Sequence, residues 1–214
     1  MAKNTIKTEE INQLLSSKKK GDLRKVVKVI ANNGLSDFNS DLFQILDNYI
    51  SDEKMWELNY DIIRVLGKTG YDKVVPILEN ICARNEEHDM ITSAASMALC
   101  RIRRTDLNDV KEVQRLLGIG KFAVVDGALR SMGIDKVIPT EANINTIIDS
   151  INAFEPKIEV GYADVREGLA VAAAGWPKND IVKMFLEGCI NSGDSALAKL
   201  AKSSINKKYS DIDY

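Results

Sequence analysis

Five stretches of the 214-residue chain carry apolar residues in one spacing, and that recurrence limits the fold more than any single motif. With Ile30, Leu66, Leu99, Leu129 and Ala173 as reference points, Val29, Val65, Ala98, Ala128 and Ala172 stand one residue earlier. Val26, Ile62, Ala95, Val125 and Leu169 stand four residues earlier. All fifteen are apolar, at the i, i+3, i+4 spacing of one helix face. Four residues after each reference come Gly34, Gly70, Arg103, Gly133 and Pro177. Glycine is the usual helix stop, and a proline cannot continue a helix. The references lie 36, 33, 30 and 44 residues apart, the last interval holding an insertion near residues 154–162. A self-similar period of this length marks helix pairs that bury their apolar faces only against neighbouring pairs.

A second helical pattern follows each stop, over residues 35–50, 71–85, 108–117, 142–154 and 177–190, and a last helix is expected near 194–209. No segment alternates with period two between turn residues, so no sheet is expected. The expected fold is therefore all-α: five helix pairs and a C-terminal helix, as one domain over residues 21–214 behind a polar segment, helical or frayed, over 1–20. The stretch DVREGLAVAAAGW (164–176) shows what a first helix wedged between two neighbours needs. Ala163, Gly168, Ala170, Ala172, Ala173 and Ala174 let backbones approach closely. Asp164 is the expected N-cap, with Glu167 completing a capping box. Gly175 is expected to end the helix, Trp176 to pack over the turn, and Pro177 to open the next helix.

These repeats resemble HEAT repeats, in the short, alanine-rich form also found in phycobilisome-lyase-type HEAT-like proteins. The residues that carry the resemblance are Asp164-Val165-Arg166 with its alanine-rich helix, Val65-Leu66-Gly67-Lys68-Thr69-Gly70 followed by Val74, Val75 and Leu78, and Ala128-Leu129-Arg130-Ser131-Met132-Gly133. It covers about residues 22–192; the Asp-Val-Arg signature occurs only in the fifth repeat, and repeats one and three depart most from the pattern. The resemblance implies a right-handed α-solenoid, a structural role for Asp164 and Arg166 in capping and bridging adjacent repeats, and a concave side lined by second helices. On that side the exposed residues are expected to be Lys73, Glu79, Asn80, Arg84, Lys111, Glu112, Arg115, Asp149, Lys183 and Glu187. Their mixed signs favour a protein partner recognised by complementary charge over nucleic acid, which asks for a uniformly basic groove with interleaved aromatics.

Charge sharpens this. The net charge of −2 offers no global field for nucleic acid. Residues 1–28 nevertheless carry eight Lys/Arg against three acids, and 99–121 six against three. Arg101, Arg103 and Arg104 form the densest basic cluster, with two readings: an anion-binding patch, or cations complementing a helix carboxyl end. The Lys18-Lys19-Lys20 run is read as solvated. His88, the sole histidine, sits at a turn among acids with nothing to orient it as a base. GIGKFAVVDG (118–127) lacks the spacing of a phosphate loop and is read as an inter-repeat turn. The three cysteines Cys82, Cys100 and Cys189 are widely spaced and read as small buried hydrophobes. No metal site, cofactor or catalytic constellation is expected. No apolar run approaches the ~20 residues that span a bilayer. The amino-terminal MAKNTIKTEEINQLL has no signal-peptide core, so a cytoplasmic, bacterial-like protein is expected.

The functional expectation is a non-enzymatic scaffold that binds another protein along its concave face, as adaptor, assembly chaperone or immunity-type inhibitor. A HEAT-like DNA-binding protein or alkylpurine DNA glycosylase is the alternative, using Trp56, Tyr60, Trp176 and the arginine cluster. A tetrapyrrole lyase-type protein, prompted by the repeat type alone, comes last.

Overall fold

A computed structural model of the chain describes residues 8–154 and 164–212. Most of the expected insertion, Ala163 and the first seven residues of the polar N-terminal segment lie outside the described residues. Within them all regular structure is helical and no strand occurs. The helices are α1 (Thr8–Leu15), α2 (Lys20–Asn33), α3 (Asn39–Tyr49), α4 (Trp56–Thr69), α5 (Val75–Arg84), α6 (Met90–Arg103), α7 (Lys111–Ile119), α8 (Phe122–Ile134), α9 (Glu141–Ala153), α10 (Arg166–Ala172), α11 (Asp180–Ile190) and α12 (Ser195–Ile205). Short 3₁₀ turns at Ser36–Phe38, Glu53–Met55 and Asp72–Val74 lead into α3, α4 and α5, and Ala173–Gly175 closes α10. Among the described residues no helix is long and apolar enough to cross a membrane.

The apolar period reports burial faithfully. Fourteen of the fifteen periodic residues are buried, Val29 alone being half-buried. The five triads fall on α2, α4, α6, α8 and on α10 with its 3₁₀ extension. The stops divide into two kinds. Gly34 and Gly70 take left-handed φ values of 64° and 70° and return their N–H groups to carbonyls of the preceding turn. Gly133 does not stop its helix: it lies inside α8, and Lys136, at φ 53°, takes the left-handed position beyond it. Gly133 is small because a Cβ there would stand 2.6 Å from the Gly168 carbonyl oxygen.

Local chemistry around α10 also departs from expectation. Asp164 Oδ1 accepts from the Arg166 backbone N–H at 2.9 Å, but the N-cap of α10 is Val165, one residue later than expected, and Val165 makes no side-chain capping bond. The reciprocal half of the capping box is absent, because the Glu167 carboxylate faces Arg130 instead. Trp176 is buried and its indole N–H donates to the Val137 carbonyl at 2.9 Å. Pro177 stands outside the next helix; α11 starts at Asp180 because Asn179 caps it, accepting from the Val182 N–H.

The helices form two layers. α2, α4, α6, α8 and α10 pack one on the next in chain order, with α12 against α10 and α11. α3, α5 and α7 lean on the even helices that follow them and pack little on each other. The even layer is close because its seams are made of small residues. A Cβ on Gly67 would stand 2.6 Å from Ala98 Cβ, one on Gly127 2.0 Å from the Ser93 carbonyl oxygen, and one on Gly168 2.5 Å from the Leu129 carbonyl oxygen. Ser96 Oγ ties the α6–α8 seam by donating to the Val124 carbonyl. Cys82, Cys100 and Cys189 are free and buried, and desolvation pushes each thiol up to about 12, which makes them packing groups.

Candidate functional site

The residues expected on a concave stripe all belong to the odd layer. Lys73 lies on the 3₁₀ turn before α5, Glu79, Asn80 and Arg84 on α5, Lys111, Glu112 and Arg115 on α7, Asp149 on α9, and Lys183 and Glu187 on α11. All but Glu79 and Glu112 are exposed. Four charges there form one network that includes a residue of the even layer. Arg103 Nη1 is 2.5 Å from Glu79 Oε1 and 3.0 Å from Glu112 Oε1; Arg115 Nη2 is 3.2 Å and 2.5 Å from the same two oxygens. Burial opposes ionisation of Glu112, but hydrogen bonds from Arg115 and Arg103 outweigh it and hold its carboxyl below the usual range. That depressed value contributes stability above the unfolded carboxylate pKa, lost as pH falls through the folded one. Glu112→Gln is therefore expected to cost about 1 kcal/mol or less at neutral pH, since both arginines are well exposed. Urea melts at falling pH should show that difference vanish.

The arginine cluster is divided between carboxylates. Arg101 Nη2 lies 2.8 Å from Asp135 Oδ1, and Arg104 Nη1 lies 2.6 Å from Asp135 Oδ2. Arg104 Nη2 also donates to Ser131 Oγ at 2.9 Å. Arg103 belongs to the network above. All three guanidiniums thus hold internal partners, which accounts for the cluster as cross-links between α6, α7 and the end of α8. Of the lysine run, Lys20 is committed, at 3.0 Å from Glu57 Oε2. His88 is exposed, its ring 5.2 Å from that of Phe122. The turn read over 118–127 reduces to Gly120 and Lys121, because α7 runs to Ile119 and α8 starts at Phe122. Arg166 pairs with Asp164 at 2.5 Å, so the expected bridge between repeats is made instead by Glu167 to Arg130. Of the aromatics named for the DNA reading, Trp56 is exposed, Tyr60 is buried with the Arg64 guanidinium 5.4 Å from its ring centre, and Trp176 is buried.

Two arrangements were not anticipated. The first is a buried polar cluster on the α6–α8–α10 seam. Ser93 Oγ donates to Asp126 Oδ2 at 2.8 Å, Arg130 Nε to Asp126 Oδ1 at 2.7 Å, and Arg130 Nη2 reaches Glu167 Oε2 at 3.4 Å. Arg130 is 3% exposed and Asp126 7%. Desolvation raises the carboxyls of Asp126 and Glu167 above their ordinary values, with Arg130 opposing the rise. The signal was in the sequence: DGALR (126–130) sets an acid and an arginine four apart in a helix otherwise made of small and apolar residues.

The second is a cavity of about 410 Å³ crossing the even layer, walled by Lys28, Asp61, Arg64, Lys68, Arg101 and Ile134 among others. It touches α2, α4, α6 and α8 in turn. Lys28 and Arg64 stand two residues before the apolar references Ile30 and Leu66, and Lys68 and Arg101 two residues after Leu66 and Leu99, so the cations share these positions within the first three repeats only. Among the described residues neither Lys28 nor Lys68 has an ion-pair partner, and no group of three or more His, Cys, Asp or Glu is gathered as a metal site would require. No protein-family model, curated protein or solved structure matches the chain.

Proposed function

We propose that the protein is a HEAT-like α-solenoid that acts without catalysis as a cytoplasmic interaction module, holding a partner protein as an adaptor, assembly chaperone or immunity-type inhibitor. The observation that carries this reading is the run of backbone-close seams α4–α6–α8–α10, made at Gly67, Gly127 and Gly168. Cross-links between successive pairs support it, at sequence separations of 33 for Arg24–Glu57, 34 for Arg101–Asp135 and 37 for Arg130–Glu167. Helix pairs joined only to their neighbours build an extended continuous surface. A stack with unequal layer spacing bends toward its tighter layer, so we place the concave face on the even helices, opposite to the second-helix stripe expected from the resemblance.

The test is affinity capture by the full chain from its native cytoplasm, with and without nuclease, read by mass spectrometry. One stoichiometric protein that survives nuclease is the expected result. Recovery that nuclease abolishes, or of nucleic acid alone, overturns the reading in favour of a nucleic-acid-binding array.

A further inference from the structure

We propose that the cavity across α2, α4, α6 and α8 is a binding furrow for an acidic, extended peptide segment of the protein partner. This rests on the interaction-module reading and adds the site and the chemistry of the ligand. Four cations, Lys28, Arg64, Lys68 and Arg101, wall the furrow against one carboxylate, Asp61. Lys28 and Lys68 are exposed and without ion-pair partners among the described residues, whereas Arg101 is already held by Asp135 and Arg64 lies over the Tyr60 ring. The two available cations are thus Lys28 on α2 and Lys68 on α4.

Shape favours a chain over a single ion. Lys28 and Lys68 come from two successive helices, and packed helices stand roughly 8–10 Å apart. A ligand that meets both spans about 10 Å, the length of some three extended residues at ~3.3 Å each. Chemistry favours a peptide over nucleic acid. Asp61 lines the same wall, with Arg24 Nε 3.7 Å from its Oδ2, beyond hydrogen-bond distance. A carboxylate there repels phosphates but accepts from backbone N–H groups, which a peptide carries beside its acidic side chains. Among the described residues that line the cavity none is aromatic, and Tyr60, with Arg64 over its ring, is only 9% exposed.

The experiment is fluorescence anisotropy on the full chain at low ionic strength. The probe is a labelled octapeptide of alternating Glu and Gly; the comparisons are its Gln/Gly counterpart, a ten-nucleotide oligothymidylate, and inorganic phosphate as competitor. The Glu peptide is expected to bind, and the Gln peptide is not. The double substitution Lys28→Glu and Lys68→Glu weakens binding by about tenfold or more. The same charge change at the exposed Lys199 and Lys202 of α12 leaves it unchanged. Asp61→Ala weakens peptide binding, because an acceptor for backbone N–H groups is lost. Lys28→Gln with Lys68→Gln serves the same purpose if charge reversal disturbs folding. The proposal is overturned if the Glu peptide fails to bind or binds the furrow and control variants alike. It is also overturned if Asp61→Ala tightens binding, if the oligonucleotide binds as well as the peptide, or if phosphate displaces the peptide at equal charge. These outcomes are separable from the wider reading: a partner captured equally by the wild type and the furrow variant keeps the module and removes the furrow.

Discussion

Gly127→Ala is expected to lower stability by about 3 kcal/mol or more, the upper end of overpacking in a close-packed interior. The added methyl would stand 2.0 Å from the Ser93 carbonyl oxygen and 2.9 Å from Ser96 Cβ. The first of these is backbone in α6, which no rotamer change relieves, so the helices must separate. For a chain of this size the melting temperature should fall by roughly 6–12 °C. Gly188→Ala supplies the contrast. It lies within α11 with nothing near its absent Cβ, so the same substitution should be neutral or stabilise by about 0.5–1 kcal/mol. Thermal melts followed by far-ultraviolet circular dichroism read both. Equal melting temperatures for the two variants would mean that the α6–α8 seam is not closed at Gly127.

Arg130→Met is expected to be of similar size, for an electrostatic reason. The arginine is buried between Asp126 and Glu167, and removing one partner of a buried ion pair costs about 3–5 kcal/mol because the remaining charge is left uncompensated. The loss has a pH signature. Both carboxyls are raised by desolvation, so the fold binds their protons more tightly than the unfolded chain does. Stability therefore falls as pH rises from the unfolded carboxylate value to the raised folded one. Arg130 limits that rise; without it both carboxyls move further up and the window widens. The gap between variant and wild type should grow with pH through the window and shrink at low pH, where both groups are protonated. Urea denaturation across that range measures it. A gap independent of pH would assign the cost to packing alone.

What the sequence made legible follows from which interactions are local. The apolar triads placed the even helices because helical period and burial are the same fact seen twice. Gly34 and Gly70 were readable because they end helices at exposed turns. Gly133 was not, because glycine serves two purposes, left-handed φ and close approach, and only the partner Gly168, 35 residues on, shows which applies. The capping box at Asp164 was locally consistent but lost Glu167 to Arg130, 37 residues away. The arginine cluster lacked its explanation for the same reason: Asp135 lies 31 residues beyond Arg104. Ala94, Ala95, Ala98, Gly127 and Ala128 concentrate small residues in first helices, which marks them as the tighter layer. The cations of the α2–α8 cavity lie two residues from Ile30, Leu66 and Leu99, but only packing between helices brings them to one wall.

Seams in which backbone meets backbone have a mechanical consequence. Long side chains between helices act as soft bearings that absorb small displacements by changing rotamer. Gly67 against Ala98 and Gly127 against Ser93 leave nothing to absorb them. The even layer is thus stiff from α4 to α8, and Arg64, Lys68 and Arg101, rooted on α4 and α6, keep fixed intervals along it.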